Sequence, residues 1–218
     1  LVFVVGESGT GKTTLAKLLT GLMSPVRGQI FIDGLDLRQV VPQWWRKQVV
    51  YFPQEPTFLN ASIEDNLRTL DPDMSSERLN DIINQAGLRT FIDETPEGME
   101  TLIVDNGRQL AVGIRRQLAL ARALTTDGRL VVFDEMFDGL DGDGRAAVNR
   151  VLNQFVQEGR TIFLMSHKAS KDDAIHAVID LNSKPKPRIT TFSAAYPSGA
   201  GHRAPTEEEI ALRDREML

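Results

Sequence analysis

The chain has 218 residues, of which 41% are hydrophobic and 25% charged, a composition typical of a globular protein with a sizeable buried core. Its 25 basic and 30 acidic residues give a net charge of −5, whereas a protein dedicated to nucleic-acid binding is usually basic. The absence of cysteine excludes disulfide frameworks, thiolate metal sites and cysteine nucleophiles. No apolar run approaches the roughly 18 residues that a membrane-spanning helix needs.

Strand and helix patterns alternate along the chain. Residues 1–5 form an apolar, β-branched run that predicts a buried parallel strand, and because this run opens the chain without a Met, we expect a piece of a longer protein. The leucines of 15–22 recur at helical spacing. Residues 28–33 alternate and end at an Asp-Gly turn signal, and residues 49–52 predict a further strand that ends at Pro53.

From residue 62 to about residue 124 the pattern is mainly helical. Ser62 is typical of the residue that caps a helix, and Ser75 or Ser76 caps a second predicted helix that ends at Gly87. A third predicted helix covers 114–124. This stretch therefore reads as a helical region between two groups of strands.

Strand patterns then return at 130–133, 161–165 and 177–181, and a helix pattern lies at 145–157. The alternation predicts an α/β fold with a parallel sheet and a helical insertion. We divide the chain into a core of 1–46 and 127–182, a helical subdomain of 47–126 and a tail of 183–218. The tail holds four of the ten prolines and is predicted to be extended, with a last helix over 207–217.

Residues 6–13 match the phosphate-loop pattern G-x-x-x-x-G-K-[ST] in full, between a predicted strand and a predicted helix. Glycines let the backbone direct its N–H groups at phosphate oxygens, and the following helix adds its positive N-terminal end. Lys12 is predicted to reach the β- and γ-phosphates, and Thr13 to bind Mg²⁺. The candidate nucleotide ligands are Gly6, Glu7, Ser8, Gly9, Thr10, Gly11, Lys12, Thr13 and Thr14. The loop alone fits kinases, GTPases, motors and transport ATPases equally.

Two acidic residues, Asp134 and Glu135, follow the apolar strand pattern at 130–133. Acids at the carboxyl edge of a parallel strand lie where open α/β sheets bind ligands. Asp134 is predicted to hold Mg²⁺ through its water shell. Glu135 is predicted to polarise a water for in-line attack on a γ-phosphate.

Four segments carry further motifs, namely YFPQEPTFL at 51–59, LAVGIRRQ at 110–117, DGLD at 138–141 and LMSH at 164–167. Their order and spacing resemble the ABC ATPase family, the nucleotide-binding domains of ABC transporters, in which they correspond to the Q-loop, the signature, the D-loop and the switch-histidine segment. The resemblance covers about 1–182. It implies a P-loop NTPase fold of the RecA-like class, α/β with a parallel sheet core and an inserted α-helical subdomain.

The resemblance also implies roles for single residues. Gln54 would help to coordinate Mg²⁺ and sense the γ-phosphate, Glu135 would be the catalytic base, and His167 would contact the γ-phosphate. Asp141 would communicate across a dimer interface. The implied catalytic residues are Lys12, Gln54, Glu135 and His167, and the implied metal ligands are Thr13, Gln54 and Asp134.

Two short segments favour an exporter over an importer. Residues 103–107 resemble the loop that precedes the signature in exporters, with Asp105 in place of the usual Glu, and residues 62–67 follow the Q-loop in the same way. The implied cofactors are ATP and Mg²⁺. The implied partners are a second nucleotide-binding domain and a transmembrane domain, at the cytoplasmic face of a membrane and with no nucleic acid. Trp44 and Trp45 are accordingly interpreted as a packed or interface patch rather than a base-stacking surface.

The signature departs from the family pattern. Where the family reads Leu-Ser-Gly-Gly-Gln, this chain reads Leu110, Ala111, Val112, Gly113 and Ile114, a segment that is implied to close over the nucleotide of the partner domain. Ala111 lacks the serine hydroxyl, and a lost hydrogen bond to a charged oxygen costs about 1.5–3 kcal/mol. We therefore expect a homodimer to hydrolyse slowly, whereas a heterodimer with one competent and one degenerate site fits the pattern. The aromatic residue that stacks on adenine in the family lies upstream of the phosphate loop and outside these residues.

Three other functions stay open. A soluble ABC ATPase without transport is disfavoured by the exporter-like loop before the signature. A regulatory module that binds ATP with little turnover is favoured by the degenerate signature but disfavoured by Glu135 and His167. A phosphoryl-transfer kinase is the least favoured, because nothing in the sequence binds an acceptor hydroxyl.

Overall fold

A computed structural model of the chain describes residues 1–137, 140–168 and 175–192. The strands are β1 (Val2–Val5), β2 (Phe31–Ile32), β3 (Leu35–Asp36), β4 (Val49–Phe52), β5 (Ala61–Ser62), β6 (Leu102–Ile103), β7 (Leu130–Asp134), β8 (Thr161–Ser166), β9 (Ala177–Asp180) and β10 (Arg188–Thr191). The helices are α1 (Lys12–Leu19), α2 (Pro42–Gln48), α3 (Ile63–Arg68), α4 (Ser76–Gln85), α5 (Arg89–Glu94), α6 (Val112–Leu124) and α7 (Gly142–Gln157). Short 3-10 turns lie at Leu37–Gln39, Gly98–Glu100 and Asp105–Gly107.

Six strands form the central sheet, in the order β10-β9-β1-β8-β7-β4. All neighbours are parallel except β9 and β10, which are antiparallel. The predicted parallel α/β sheet is thereby confirmed. Strand β4 belongs to this sheet although it falls within the 47–126 region that the sequence assigns to the helical subdomain.

Helices cover both faces of the central sheet. On one face Val4, Val132 and Met165 pack with Ala16 of α1. On the other face Val131 and Phe133 join a larger cluster that includes the buried faces of α6 and α7. Because both faces of each inner strand are covered, the strand sequences are continuous apolar runs rather than alternating ones.

Helix capping follows the sequence signals. The Ser62 side chain accepts a hydrogen bond from the Asp65 N–H at 3.0 Å, and Ser75, rather than Ser76, accepts from the Arg78 N–H at 3.2 Å. Gly87 has a φ of +76° just after α4, as a left-handed helix end requires. The predicted caps and the predicted end of α4 are therefore confirmed.

The sequence predicts the structure between α1 and β4 less completely. The strand predicted over 28–33 is reduced to β2, which forms a two-stranded hairpin with β3 around Asp33-Gly34, both at positive φ. Helix α2 has no predicted counterpart. It buries Trp45 against Gly21, where a Cβ would lie 3.0 Å from the indole, and leaves Trp44 exposed.

The predicted extended tail contains a strand that its composition did not indicate. Strand β10, inside the predicted extended tail, adds an antiparallel edge to the sheet by pairing with β9. The last helix predicted over 207–217 lies outside the described residues, as do Asp138 and Gly139 of the predicted D-loop. Within the described part of the chain, no helix combines the length and the apolar character needed to cross a bilayer.

The aromatic contact between β4 and β7 tests this packing. Phe52 and Phe133 are partners in the register, with ring centroids 5.2 Å apart, and Phe133 is fully buried. Phe133→Ala should lower the free energy of unfolding by about 3–5 kcal/mol, measured by chemical denaturation. Phe31→Ala is the matched control, because Phe31 is exposed and an exposed substitution changes stability by about 0.5 kcal/mol or less. Equal effects of the two changes would contradict the assigned core.

Candidate active site

The carboxyl ends of four parallel strands meet at one edge of the sheet. The phosphate loop follows β1, Gln54 follows β4, Glu135 follows β7 and His167 follows β8. Since these strands are neighbours in the order β1-β8-β7-β4, their following residues lie side by side. The structure therefore brings Lys12, Gln54 and His167 to Glu135, with Asp134 at the end of β7 beside it.

The backbone of the phosphate loop has the form that a phosphate needs. Gly9 and Gly11 have φ values of +81° and +103°, which residues with a side chain rarely adopt, and a Cβ at Gly6 would collide with the Thr10 hydroxyl. Thr10 closes the turn, since its hydroxyl donates to the Glu7 carbonyl at 2.8 Å. No side chain caps α1, which leaves the N–H groups of its first turn available to an anion.

Lys12 is buried inside this loop. Its ammonium donates to the carbonyls of Gly6 at 2.6 Å and Glu7 at 3.1 Å, and it forms an ion pair with Glu135 Oε1 at 3.0 Å. The side chains of Lys12 and Glu135 are 4% and 10% exposed. A buried ammonium must be paired or fully hydrogen-bonded, and Glu135 supplies the charge that does so here.

Glu135 also contacts two other predicted site residues. Gln54 Nε2 donates to Glu135 Oε2 at 2.7 Å, and His167 Nε2 lies 3.4 Å from Glu135 Oε1. The two carboxylate oxygens of Glu135 are therefore contacted by Gln54 after β4, by His167 after β8 and by Lys12. A carboxylate can bind a cation, accept a proton or orient a water.

Asp134 has no solvent exposure, and among the residues that the structure describes its Oδ1 has no hydrogen-bond partner. Burial raises the pKa of this carboxyl above its ordinary value; a hydrogen bond with Thr13 opposes the shift, and the charge of Glu135 adds to it. An unpartnered buried carboxylate oxygen beside a threonine fits a site for a water-coordinated Mg²⁺. Among the described residues, no group of three or more His, Asp or Glu side chains could hold a metal ion, so a bound Mg²⁺ would also need oxygens from phosphates.

Two residues near the site received no role from the sequence. The Tyr51 hydroxyl donates to Asp134 Oδ2 at 3.4 Å. Burial, with the charge of Asp134, raises the pKa of Tyr51 to about 12. Arg116 Nη1 donates to the carbonyl oxygens of Glu135 and Met136. Tyr51 lies in the Q-loop segment and Arg116 in the signature segment. The sequence pattern alone does not assign a role to either residue.

The remaining predicted residues lie farther from the carboxylates. Ala111 and Val112 are exposed at the N-terminus of α6, and Gly113 has open space around its Cβ position. Asp141 caps α7 by accepting a hydrogen bond from the Gly144 N–H at 2.8 Å. The exposed start of α6 is thus available to another molecule, whereas the Asp141 carboxylate already has a structural partner in its own chain.

The comparison with known proteins agrees with this geometry. A family model described as "ABC transporter" matches residues 1–138. The chain belongs to the ABC transporter family. This confirms the resemblance found in the sequence, together with the P-loop NTPase fold.

The relatives of this ABC domain include export proteins. It is 38% identical over 170 residues to the exotoxin translocation ATP-binding protein PaxB of Pasteurella aerogenes and 37% identical over 170 residues to the alpha-hemolysin translocation ATP-binding protein HlyB of Proteus vulgaris. Each match covers 78% of this chain and 24% of the relative. The chain therefore spans about a quarter of the length of these curated relatives.

A solved structure shares the fold. A bacterial Atm1-family ABC exporter with ATP bound superposes with a TM-score of 0.75 and 27% sequence identity. The match covers 82% of this chain and 31% of the exporter chain. The ABC family fold thus extends beyond the 138 residues of the family model to most of the described part of this chain.

Because the pKa of Asp134 is raised, we expect its ionised carboxylate to lower the free energy of unfolding. The folded state holds the Asp134 proton more tightly than the unfolded state, so the free energy of unfolding falls as pH rises from the ordinary aspartate pKa through the raised one. At neutral pH, Asp134→Asn should therefore make the nucleotide-free protein more stable to urea. This increase in the free energy of unfolding should shrink as the pH is lowered from the raised pKa of Asp134 to the ordinary aspartate pKa. Asp81→Asn, at an exposed position of α4, is the control, and a less stable Asp134→Asn protein at neutral pH would refute the prediction.

Proposed function

We propose that this chain is the ATP-binding and ATP-hydrolysing motor domain of an ABC exporter. The observation that carries the proposal is the convergence of Lys12, Gln54 and His167 on the carboxylate of Glu135 at the phosphate loop. The names of the relatives, which are translocation ATP-binding proteins, support an exporter over a soluble ATPase.

ATP binding begins with an exchange of partners at Lys12. The ammonium now pairs with Glu135, and a triphosphate offers it a higher density of negative charge. The β- and γ-phosphates take the place of the carboxylate, while the Gly6 and Glu7 carbonyls can keep the ammonium in the loop. The uncapped N–H groups of α1 bind the same phosphates.

A metal site would lie beside the bound phosphates. Thr13, Gln54 and the unpartnered Asp134 Oδ1 would hold Mg²⁺, with Asp134 acting through a coordinated water. A bound Mg²⁺ neutralises charge that develops on the phosphate oxygens. Tyr51 restrains Asp134 by donating to its other oxygen.

Hydrolysis then depends on the freed Glu135. Its carboxylate accepts a proton from a water that attacks the γ-phosphate in line, and ADP and phosphate result. His167, which lies 3.4 Å from the same carboxylate, would donate to the γ-phosphate. Gln54, which now donates to Glu135, would instead help to hold Mg²⁺, and its loop would thereby sense the γ-phosphate.

The motor works as a dimer. The exposed Ala111 and Val112 at the start of α6 would close over the nucleotide of a second nucleotide-binding domain, and Asp141 would lie near the interface. The Q-loop region would pass the motion to a transmembrane domain, which places this domain at the cytoplasmic face of a membrane. The helical subdomain would begin after β4 and would then move relative to the core, whose sheet β10 of the tail joins.

One observation favours a second function, a nucleotide-binding module with little turnover. Ala111 offers no hydroxyl, and the β-branched Val112 projects where a glycine would let the backbone approach a phosphate. The same feature fits a heterodimer in which one of two sites is degenerate. Turnover measurements separate these possibilities.

Substitution of the two central residues tests the ATPase. Glu135→Gln should retain Mg-ATP binding and lower kcat by about 100-fold or more, because general base catalysis is typically worth that factor. Lys12→Ala should weaken Mg-ATP binding by about tenfold or more. Lys17→Ala, at an exposed position of the same helix, is the matched control for charge. Wild-type turnover in the Glu135→Gln protein would reject the proposed base.

Repair of the signature tests the dimer. The triple change Ala111→Ser, Val112→Gly and Ile114→Gln should raise ATPase turnover of the assembled homodimer by about tenfold, the value of one restored bond to a charged oxygen. Ala146→Ser, at an exposed position of α7, controls for the added hydroxyl. Unchanged turnover, in a dimer shown to form by light scattering, would speak against a signature that acts in trans.

A further inference from the structure

The backbone that carries Glu135 is held in an uncommon conformation. Glu135 has a φ of +53°, in the left-handed region that residues with a Cβ seldom adopt. Its N–H donates to the Met165 carbonyl of β8 at 3.2 Å. Its own carbonyl, and that of Met136, accept hydrogen bonds from Arg116 Nη1 at 2.9 and 2.6 Å. The turn after β7 is therefore fixed on one side by the sheet and on the other by a guanidinium.

Arg116 belongs to a different part of the molecule from Glu135. It lies on α6, four residues after the Val112 that begins the helix, which is about 6 Å along the axis. The rest of α6 is firmly packed, since Leu118, Leu120 and Ala121 are buried and the helix contacts α3, α4, α7 and β4. Arg116 thus joins the first turns of α6 to the turn that carries Glu135.

Charge makes this contact stronger than an ordinary backbone hydrogen bond. A guanidinium that donates to carbonyl oxygens forms charge-assisted bonds, which are shorter and stronger than neutral ones. The two accepting carbonyls are successive in the chain, so their separation fixes where the guanidinium lies. Loss of Arg116 would free the peptide units on both sides of the Met136 Cα, next to the carboxylate that contacts Lys12.

We propose that Arg116 is a positioning residue that couples the signature segment to the Glu135 carboxylate of the same chain. The inference rests on the proposed function, in which the signature contacts nucleotide held by the partner domain. Contact at Ala111–Gly113 shifts the start of α6, Arg116 moves with it, and the two carbonyls that it holds set the direction of Glu135. Nucleotide in one site of the dimer thereby controls the base of the other site through one side chain.

The first test compares Arg116→Gln with Arg116→Lys in the full-length protein that contains this domain. Arg116→Gln should lower kcat by about tenfold or more with the KM for ATP changed by about twofold or less, because the phosphate loop is untouched. Arg116→Lys should recover part of kcat. Arg150→Gln, at an exposed position of α7, is the control for loss of an arginine. A normal kcat in Arg116→Gln, or a KM that rises as kcat falls, would overturn the proposal.

The second test asks whether the arginine transmits a change in the signature. Gly113→Asp introduces a carboxylate where the structure has room for it and should lower kcat by repelling phosphate. In the Arg116→Gln background the same change should lower kcat by a smaller factor, since coupled residues are not additive. Equal factors in the two backgrounds, or no effect of Gly113→Asp in the wild type, would each reject the coupling.

The third test does not depend on hydrolysis. In nucleotide-free protein, amide hydrogen exchange over residues 134–137 should be about fivefold faster in Arg116→Gln and unchanged in Arg150→Gln, because the turn loses the hydrogen bonds that Arg116 donates to it. Equal exchange in all proteins would overturn the positioning role. If the wild type fails to hydrolyse ATP while the exchange differs, the proposed function fails and the restraint by Arg116 stands.

Discussion

The parallel alignment of β1, β8, β7 and β4 is the constraint on which the site depends. Parallel strands end at the same edge of a sheet, so residues far apart in the chain become neighbours there. Gln54 and Glu135 are 81 positions apart, yet their side chains form a hydrogen bond of 2.7 Å. Both faces of the inner strands are packed with apolar side chains. Charged side chains can therefore lie together at this edge without being buried in the apolar core.

The charges at that edge are balanced in a way that a nucleotide would change. Lys12 and Glu135 neutralise one another inside the loop, while burial raises the pKa of Asp134. A triphosphate with Mg²⁺ would replace Glu135 as the anionic partner of Lys12 and would supply a cation for Asp134. The cost that the nucleotide-free site imposes on folding is therefore linked to the affinity that we propose for its ligand.

Much of the fold and the site could be predicted from local patterns. The run at 130–134 identified a buried strand and its acidic end, and the complete motif at 6–13 placed Lys12. The hydrogen bonds of Arg116 and Tyr51 could not be predicted, because they depend on which strands and helices become neighbours. Helix α2 was missed because its seven residues show no apolar period, and β10 because prolines dominate the composition around it.

The structure of this domain with Mg²⁺ and a non-hydrolysable ATP analogue tests the central claim most directly. The account predicts that Lys12 Nζ leaves Glu135, now 3.0 Å away, and lies about 3 Å from a β- or γ-phosphate oxygen. Asp134 Oδ1 should then face the water shell of the metal. Nucleotide bound elsewhere, with the Lys12–Glu135 ion pair intact, would contradict the account.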